Sequence, residues 1–251
     1  MLSYERQNQI LDLLKEHQYV TVPFLCKRLY ASSATIRRDL SNMSSKGLLT
    51  RIRGGATLMD GANHDAPLFV RTNTNCDKKK IIADLALEYI GDSKTFFMDS
   101  SSTITYLATR LDSYHNITVI TNGIETSNVL NDHTSAKIFL IGGLIKNNSS
   151  TIGQIAIEAI QNFHSDKLFF SCCGISAKAG VTEAIEDNVA IKRQMCRNAK
   201  EKILLVDSTK FSQEFLCKSC SLSDIDVIIT DEKPDDYFMD NLPDHVKIIY
   251  P

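Results

Sequence analysis

Apolar positions over residues 1–57 recur at helical spacing, punctuated by capping and turn residues. Between Tyr4 and His17, Ile10, Leu11, Leu13 and Leu14 form one helical pattern. Thr21-Val22-Pro23 reads as a second helix start, with Thr21 as cap and Pro23 near the first turn. Val22, Leu25 and Leu29 line that short helix, and a Tyr30-Ala31 turn follows. Hydroxyl residues then open a third helix, in which Ile36, Leu40 and Met43 fall at i, i+4 and i+7. Gly47 closes it as a C′ glycine. Leu48 to Ile52 alternates, with Arg51 and Arg53 on the polar side, before Gly54-Gly55 turns the chain. Three helices and a two-stranded ribbon predict a winged helix-turn-helix with its third helix as the reader.

From Lys78 the pattern changes. Short apolar runs at 95–98, 117–120, 137–141, 167–172, 202–206, 226–230 and 246–249 read as strands. Helical patterns beginning at Ile81, Ser102, Gly123, Ile155 and Val189 separate most of them. Continuous apolar strands interleaved with helices predict an α/β fold with a mostly parallel sheet. The chain therefore divides into a winged helix-turn-helix over 1–57, a polar linker over 58–75 and an α/β domain over 76–251.

Charge sharpens this division. Residues 1–60 hold nine Lys/Arg against five Asp/Glu, a net of +4, whereas residues 61–251 hold nineteen against twenty-five, a net of −6. A basic head on an acidic body fits nucleic-acid binding confined to the N-terminus. No apolar run approaches the ~20 residues of a membrane helix, and the N-terminus lacks a signal-peptide core, so a cytoplasmic location without membrane contact is expected. The seven cysteines argue against a disulfide framework. Cys217-Lys-Ser-Cys220 has no second pair or suitably spaced histidines, so neither a metal site nor a cofactor is expected.

Thr35, Arg37, Arg38 and Ser41 fall off the apolar face of the third helix, where a DNA groove and its phosphates can meet them. In a parallel sheet, ligands bind beyond the carboxyl ends of the strands. Four such loops carry small, polar or cationic residues. They are Asp99-Ser100-Ser101-Ser102-Thr103, Thr121-Asn122-Gly123, Gly142-Gly143 and Asp207-Ser208-Thr209-Lys210. The first combines hydroxyls with a helix start, a setting suited to an anion. Together the loops predict one pocket for a small, polar, anionic molecule.

The run from Ala34 to Leu40, Gly47-Leu48-Leu49, and Arg51-x-Arg53-Gly54-Gly55-Ala56 resembles the signature of the DeoR/GlpR family of bacterial transcriptional regulators. Thr121-Asn122, Gly142-Gly143, Asp207 to Phe211, and Gly180-Val181-Thr182 with Lys192 resemble the family's downstream motifs. The resemblance implies a sensor domain similar to ribose-phosphate isomerase or CoA-transferase folds. It also implies a repressor of a sugar or carbohydrate operon that answers to a phosphorylated sugar. On this reading Arg37 and Arg38 contact bases or phosphates, Ser33 and Thr35 phosphates or base edges, and Arg51 and Arg53 the flanking backbone or minor groove. Ser101, Ser102, Thr103 and Lys210 hold the phosphate, with Asp99 and Asn122 on hydroxyls. Two departures stand out: Ser101 replaces a family glycine, and Ala190 stands where many members carry a glutamate. Glu183, Glu186 and Asp187 are candidates to replace it. A homo-oligomer is expected, because paired half-sites raise affinity for double-stranded DNA. Two alternatives are a phosphosugar isomerase or transferase carrying a DNA-binding head, and a thiol- or metal-sensing regulator using Cys172, Cys173, Cys217 and Cys220.

Overall fold

A computed structural model of the chain describes residues 2–17, 19–46, 48–57, 68–147 and 149–251. The expected Gly47 cap and residues 58–67 of the expected linker lie outside the described residues. The chain forms two compact units, Met1–Thr74 and Asn75–Pro251.

In the first unit, helices α1 (Ser3–His17), α2 (Val22–Leu29) and α3 (Ser33–Ser45) enclose a core of Ile10, Leu14, Leu25, Leu29, Ile36, Leu40 and Met43. Thr21 caps α2 by accepting from Phe24 N at 3.2 Å, and Ser32 caps α3 by accepting from Thr35 N at 3.2 Å. Tyr30 ends α2 in the left-handed region, at φ 50°. The expected two-stranded wing has a third strand. Strands β1 (Tyr19–Thr21), β2 (Thr50–Ile52) and β3 (Gly55–Thr57) form an antiparallel sheet in the order β1-β3-β2. Three residues are too few to show a period of two, so β1 left no pattern. Gly55 allows its close approach: a Cβ there would lie 2.1 Å from the Val20 carbonyl oxygen. A five-residue helix, α4 (Leu68–Thr72), completes the unit.

The second unit is a seven-stranded, wholly parallel sheet with helices on both faces. Its elements run α5 (Cys76–Ala86), β4 (Thr95–Met98), α6 (Ser102–Ala108), β5 (Thr118–Thr121), α7 (Ile124–His133), β6 (Lys137–Leu140), β7 (Leu144–Lys146), β8 (Ser150–Ile152) and α8 (Gln154–Gln161). They continue through β9 (Ser165–Phe170), β10 (Gly174–Ser176), β11 (Gly180–Glu183), α9 (Glu186–Asn198), β12 (Ala199–Leu205), β13 (Cys217–Cys220), β14 (Val227–Ile229), α10 (Asp236–Asp240) and β15 (Lys247–Ile249). Alternate residues of each central strand serve opposite faces. Phe96, Met98, Phe169, Ile203 and Leu205 pack with α5, α6 and α7, whereas Phe97, Leu168, Phe170 and Leu204 pack with α8, α9 and α10. Burial on both faces is why these strands read as unbroken apolar runs.

The sheet order is β15-β14-β12-β9-β4-β5-β6. The chain enters at β4, moves outward through β5 and β6, then returns to the other side of β4 as β9 and moves outward again. The direction of winding therefore reverses between β4 and β9. Such a reversal opens a crevice at the carboxyl ends of the two strands. Two smaller elements were not expected: the antiparallel sheet β10-β11-β13 and the hairpin β7-β8. Both consist of three- or four-residue strands, rich in Gly, Ser and Cys in the first case.

Candidate nucleic-acid interface and effector site

The apolar stripe of α3 is spent on the core, so its other side faces outward. Ser33, Arg37 and Arg38 are exposed, and so is Arg53 at the wing turn. None of these four side chains makes a hydrogen bond or ion pair among the described residues, which leaves them available to a partner. Thr35 shares its hydroxyl with the capping Ser32, 2.9 Å away. Arg51 donates from Nη1 to Ser41 Oγ at 2.8 Å, which ties the wing to the outer face of α3. Thr35, Arg38 and Ser41 are spaced three apart on that face. Asp39 went unremarked in the sequence because it interrupts the basic run. It points inward, 1% exposed, where it pairs with Arg6 of α1 and accepts from Ser3 Oγ at 3.2 Å. That pair raises the Arg6 pKa and anchors α3 from behind.

In the second unit, the carboxyl ends of β4 and β9 meet around a buried lysine. Lys192 of α9 donates to Glu183 and to the Ser171 carbonyl oxygen, and lies 3.3 Å from Asp99 Oδ2. Its three N–H groups thus have three partners. Burial alone would lower the Lys192 pKa, but the charges of Glu183 and Asp99 outweigh it and the pKa is raised. Asp99 is equally committed: Oδ1 accepts from Ser101 N at 2.9 Å and Oδ2 from Ser171 N at 3.1 Å. The cluster therefore joins the ends of β4 and β9 to β11 and α9.

Ser171 is a member of this cluster that the sequence pattern did not single out. Glu183 had been one of three candidates to replace the glutamate absent at Ala190, and it is the one that meets Lys192. Asp187 pairs instead with Lys146 of β7, at 3.1 Å. Cys173 Sγ donates to the second Glu183 oxygen at 3.3 Å. Burial, and next the Glu183 charge, push the Cys173 thiol up to about 12. Among the described residues no group of His, Cys, Asp and Glu has the makings of a metal site.

Around this closed cluster lie polar groups that the chain itself does not pair. Ser102 and Thr103 are buried, yet their hydroxyls make no hydrogen bond among the described residues. Ser101 caps α6 by accepting from Ile104 N at 3.4 Å. That helix has seven residues, so the loop's hydroxyls rather than a long helix dipole define the local chemistry. On the neighbouring strand, Thr121 Oγ1 accepts from Gly123 N at 3.0 Å, and Asn122 Nδ2 donates to the Thr151 carbonyl at 3.0 Å. Asn122 is 2% exposed, and its Oδ1 has no donor. Such a buried acceptor is costly unless something fills it.

The remaining expected residues lie further out. Lys210, half-buried after β12, makes no ion pair among the described residues, and its charge is felt by the Cys172 thiol just beyond β9. Gly142 faces open space. Gly143, at φ 153°, packs on β8, where a Cβ would lie 2.6 Å from the Ile152 carbonyl oxygen. Lys210 and the Gly142-Gly143 pair are separated by four strand spacings, about 19 Å at the level of the sheet. One small ligand does not span them, so the four loops divide into a centre at β9-β4-β5 and two flanks.

An exposed arginine-bearing helix with a wing, followed by a parallel α/β unit whose open polar groups gather at a topological switch point, defines a DNA-binding regulator with a ligand-sensing domain. Residues 6–61 match the DeoR-like helix-turn-helix domain, and residues 74–232 match the DeoR C terminal sensor domain. The chain belongs to the DeoR family of transcriptional regulators. It is 35% identical over 243 residues to the HTH-type transcriptional repressor GlcR of Bacillus subtilis, covering 96% of this chain and 93% of that protein. It is 29% identical over 246 residues to the glycerol-3-phosphate regulon repressor of Escherichia coli, covering 98% and 97%. Part of the chain is also similar to ribose 5-phosphate isomerase A from Methanocaldococcus jannaschii, at 14% identity and TM-score 0.42 over 55% of each chain. The relatives matched over nearly the whole chain are transcriptional repressors, and the protein is a DNA-binding regulator.

Proposed function

We propose that the protein represses a sugar-metabolism operon and answers to a phosphorylated sugar bound at the carboxyl ends of β9, β4 and β5. Ser33, Thr35, Arg37 and Arg38 address the operator groove and its phosphates, with Arg51 and Arg53 on the flanking backbone. Operator DNA places this work in the bacterial cytoplasm, where two or more copies of the chain occupy paired half-sites. In the sensor, Ser101, Ser102 and Thr103 meet the phosphate, Lys210 supplies the counter-charge from one flank, and Asn122 accepts from a sugar hydroxyl. Asp99 and Lys192 hold the strand ends in register beneath the ligand. Thr121, Gly142 and Gly143 shape the loops at the other flank.

The observation that carries this reading is the buried Asn122 Oδ1 without a donor at the switch point, near the hydroxyls of Ser102 and Thr103, which make no hydrogen bond among the described residues. A polyol phosphate offers what those atoms lack: hydroxyl donors and an anion. The test is thermal unfolding of the full chain with glucose 6-phosphate, fructose 6-phosphate, glycerol 3-phosphate and ribose 5-phosphate, against the unphosphorylated compounds. A ligand at 100 times its Kd stabilises the folded state by about 2.7 kcal/mol. A rise in Tm with one phosphorylated compound, lost in Lys210→Ala and Thr103→Val, is expected. No rise with any of them overturns the effector assignment.

A further inference from the structure

The turn that carries Lys210 is bonded to the point at which the chain enters the sensor unit. Asn75, the first residue of that unit, sits in the left-handed region at φ 53°, a conformation asparagine tolerates better than most residues. Its Nδ2 donates to Asp207 Oδ1 at 3.4 Å and to Thr209 Oγ1 at 3.3 Å. Three residues later, Lys78 donates to Ser208 Oγ at 2.6 Å and pairs with Asp231 Oδ2 at 2.7 Å. Asp231 accepts in turn from Ser208 N at 2.7 Å. Asp207 accepts from Thr209 N at 3.1 Å and from the Thr209 hydroxyl. The side chains of Asp207, Ser208 and Thr209 are therefore all engaged, and Lys210 is the one member of the turn left for a ligand.

We propose that Asn75 couples the sensor to the DNA-binding unit: an anion drawn to Lys210 shifts the Asp207–Lys210 turn, and the Asn75 contacts give way. This rests on the effector reading above. The bond lengths set the order of events. The two contacts to Asn75 are long and weak, whereas the Lys78 contacts are short and charge-assisted. The turn is a single tight 3₁₀ turn, so a pull at Lys210 moves Ser208 and Thr209 with it. Lys78 keeps α5 attached to the turn and to Asp231 while Asn75 lets go. Asn75 is then free to leave the left-handed region, which redirects the chain at the junction of residues 74 and 75. Neither Asn75 nor Lys78 touches the ligand, so the device acts on the link between binding and response.

The test uses the full chain, a DNA duplex that the wild type selects from a random pool, and the sugar-phosphate panel named above. Operator Kd is measured with and without saturating sugar phosphate, and sugar-phosphate Kd is measured separately. The wild type is expected to change its operator affinity by about 5- to 150-fold on ligand binding. Asn75→Gly keeps the positive φ and removes the amide. Without ligand it is expected to bind the duplex with the affinity of the ligand-bound wild type and to bind the sugar phosphate at least as tightly as wild type, while the ligand-induced change falls towards one. Lys78→Met is expected to lose the same response, and if it does not fold, Asn75→Gly decides alone. An undiminished response in Asn75→Gly overturns the coupling and leaves the effector reading standing. Loss of sugar-phosphate binding in that variant also overturns it, by making Asn75 part of the ligand site. A wild type indifferent to every sugar phosphate overturns both.

Discussion

Asp39 follows two arginines in the chain and turns away from them. Arg37 and Arg38 stay in solvent, while one residue on, the helix carries the carboxylate round to Arg6 in the core. Removing it leaves a guanidinium buried without its counter-charge, and Asp39→Ala is expected to destabilise the first unit by about 3 kcal/mol. Urea denaturation followed by far-UV circular dichroism checks this, and a loss under about 1 kcal/mol would mean that Arg6 finds water instead. Nothing local marks Asp39 as different from the solvated acid of any helix; its partner is on another helix. Cys173 makes the same point for the sensor. With its thiol pushed up to about 12, a thiolate fraction of roughly one in ten thousand remains at pH 8. Iodoacetamide at pH 8 is therefore expected to modify Cys172 and Cys173 far more slowly in the folded protein than in urea, as read by peptide mass spectrometry. Rapid labelling of Cys173 would revive the thiol-sensing alternative.

Among the elements, each central strand overlaps its expected run because burial on both faces leaves an unbroken apolar signature, although β9 is displaced by two residues and β12 begins three residues early. β4 covers Thr95–Met98, the expected run, and β5 and β6 differ from it by single residues. The three-residue strands left no such trace. How the central strands are joined at their amino ends was also hidden. Asp166, at the start of β9, accepts from Lys94 N and Thr95 N, both at 3.2 Å, and from Thr95 Oγ1 at 2.8 Å, and pairs with Lys200 of β12 at 2.9 Å. Lys200 first, and then Thr95, hold this carboxyl well below the usual carboxylate range. A folded-state pKa below the unfolded value means that the stabilisation is complete above about pH 4 and disappears as pH falls further. The stability gap between wild type and Asp166→Asn is therefore expected to be widest near pH 6–7 and to shrink towards pH 3. Urea midpoints across that range measure it, and a gap independent of pH would remove Asp166 from the acid response.

At the scale of the whole molecule, the uneven charge favours DNA binding through the head. Arg38→Ala is expected to weaken operator binding while leaving the sensor's thermal transition unchanged. The slope of log K against log salt separates its two possible roles. A phosphate contact lowers the magnitude of the slope by about 1, whereas a base contact leaves the slope and removes about 1–3 kcal/mol of discrimination at one position. Wild-type affinity and footprint in this variant would remove Arg38 from the interface. The sequence alone determined what depends on neighbours along the chain: the caps at Thr21 and Ser32, the apolar stripe of α3 that leaves Arg37 and Arg38 outside, and the alternation of strands and helices. These follow from the helical and strand periods and from local hydrogen bonding. The tertiary structure decided the strand order, and with it the candidate site. Asp99, Ser171, Glu183 and Lys192 meet only because β9 returns to pair with β4 on the side away from β5. That return depends on burying two apolar faces at once, a condition no segment of the chain meets by itself.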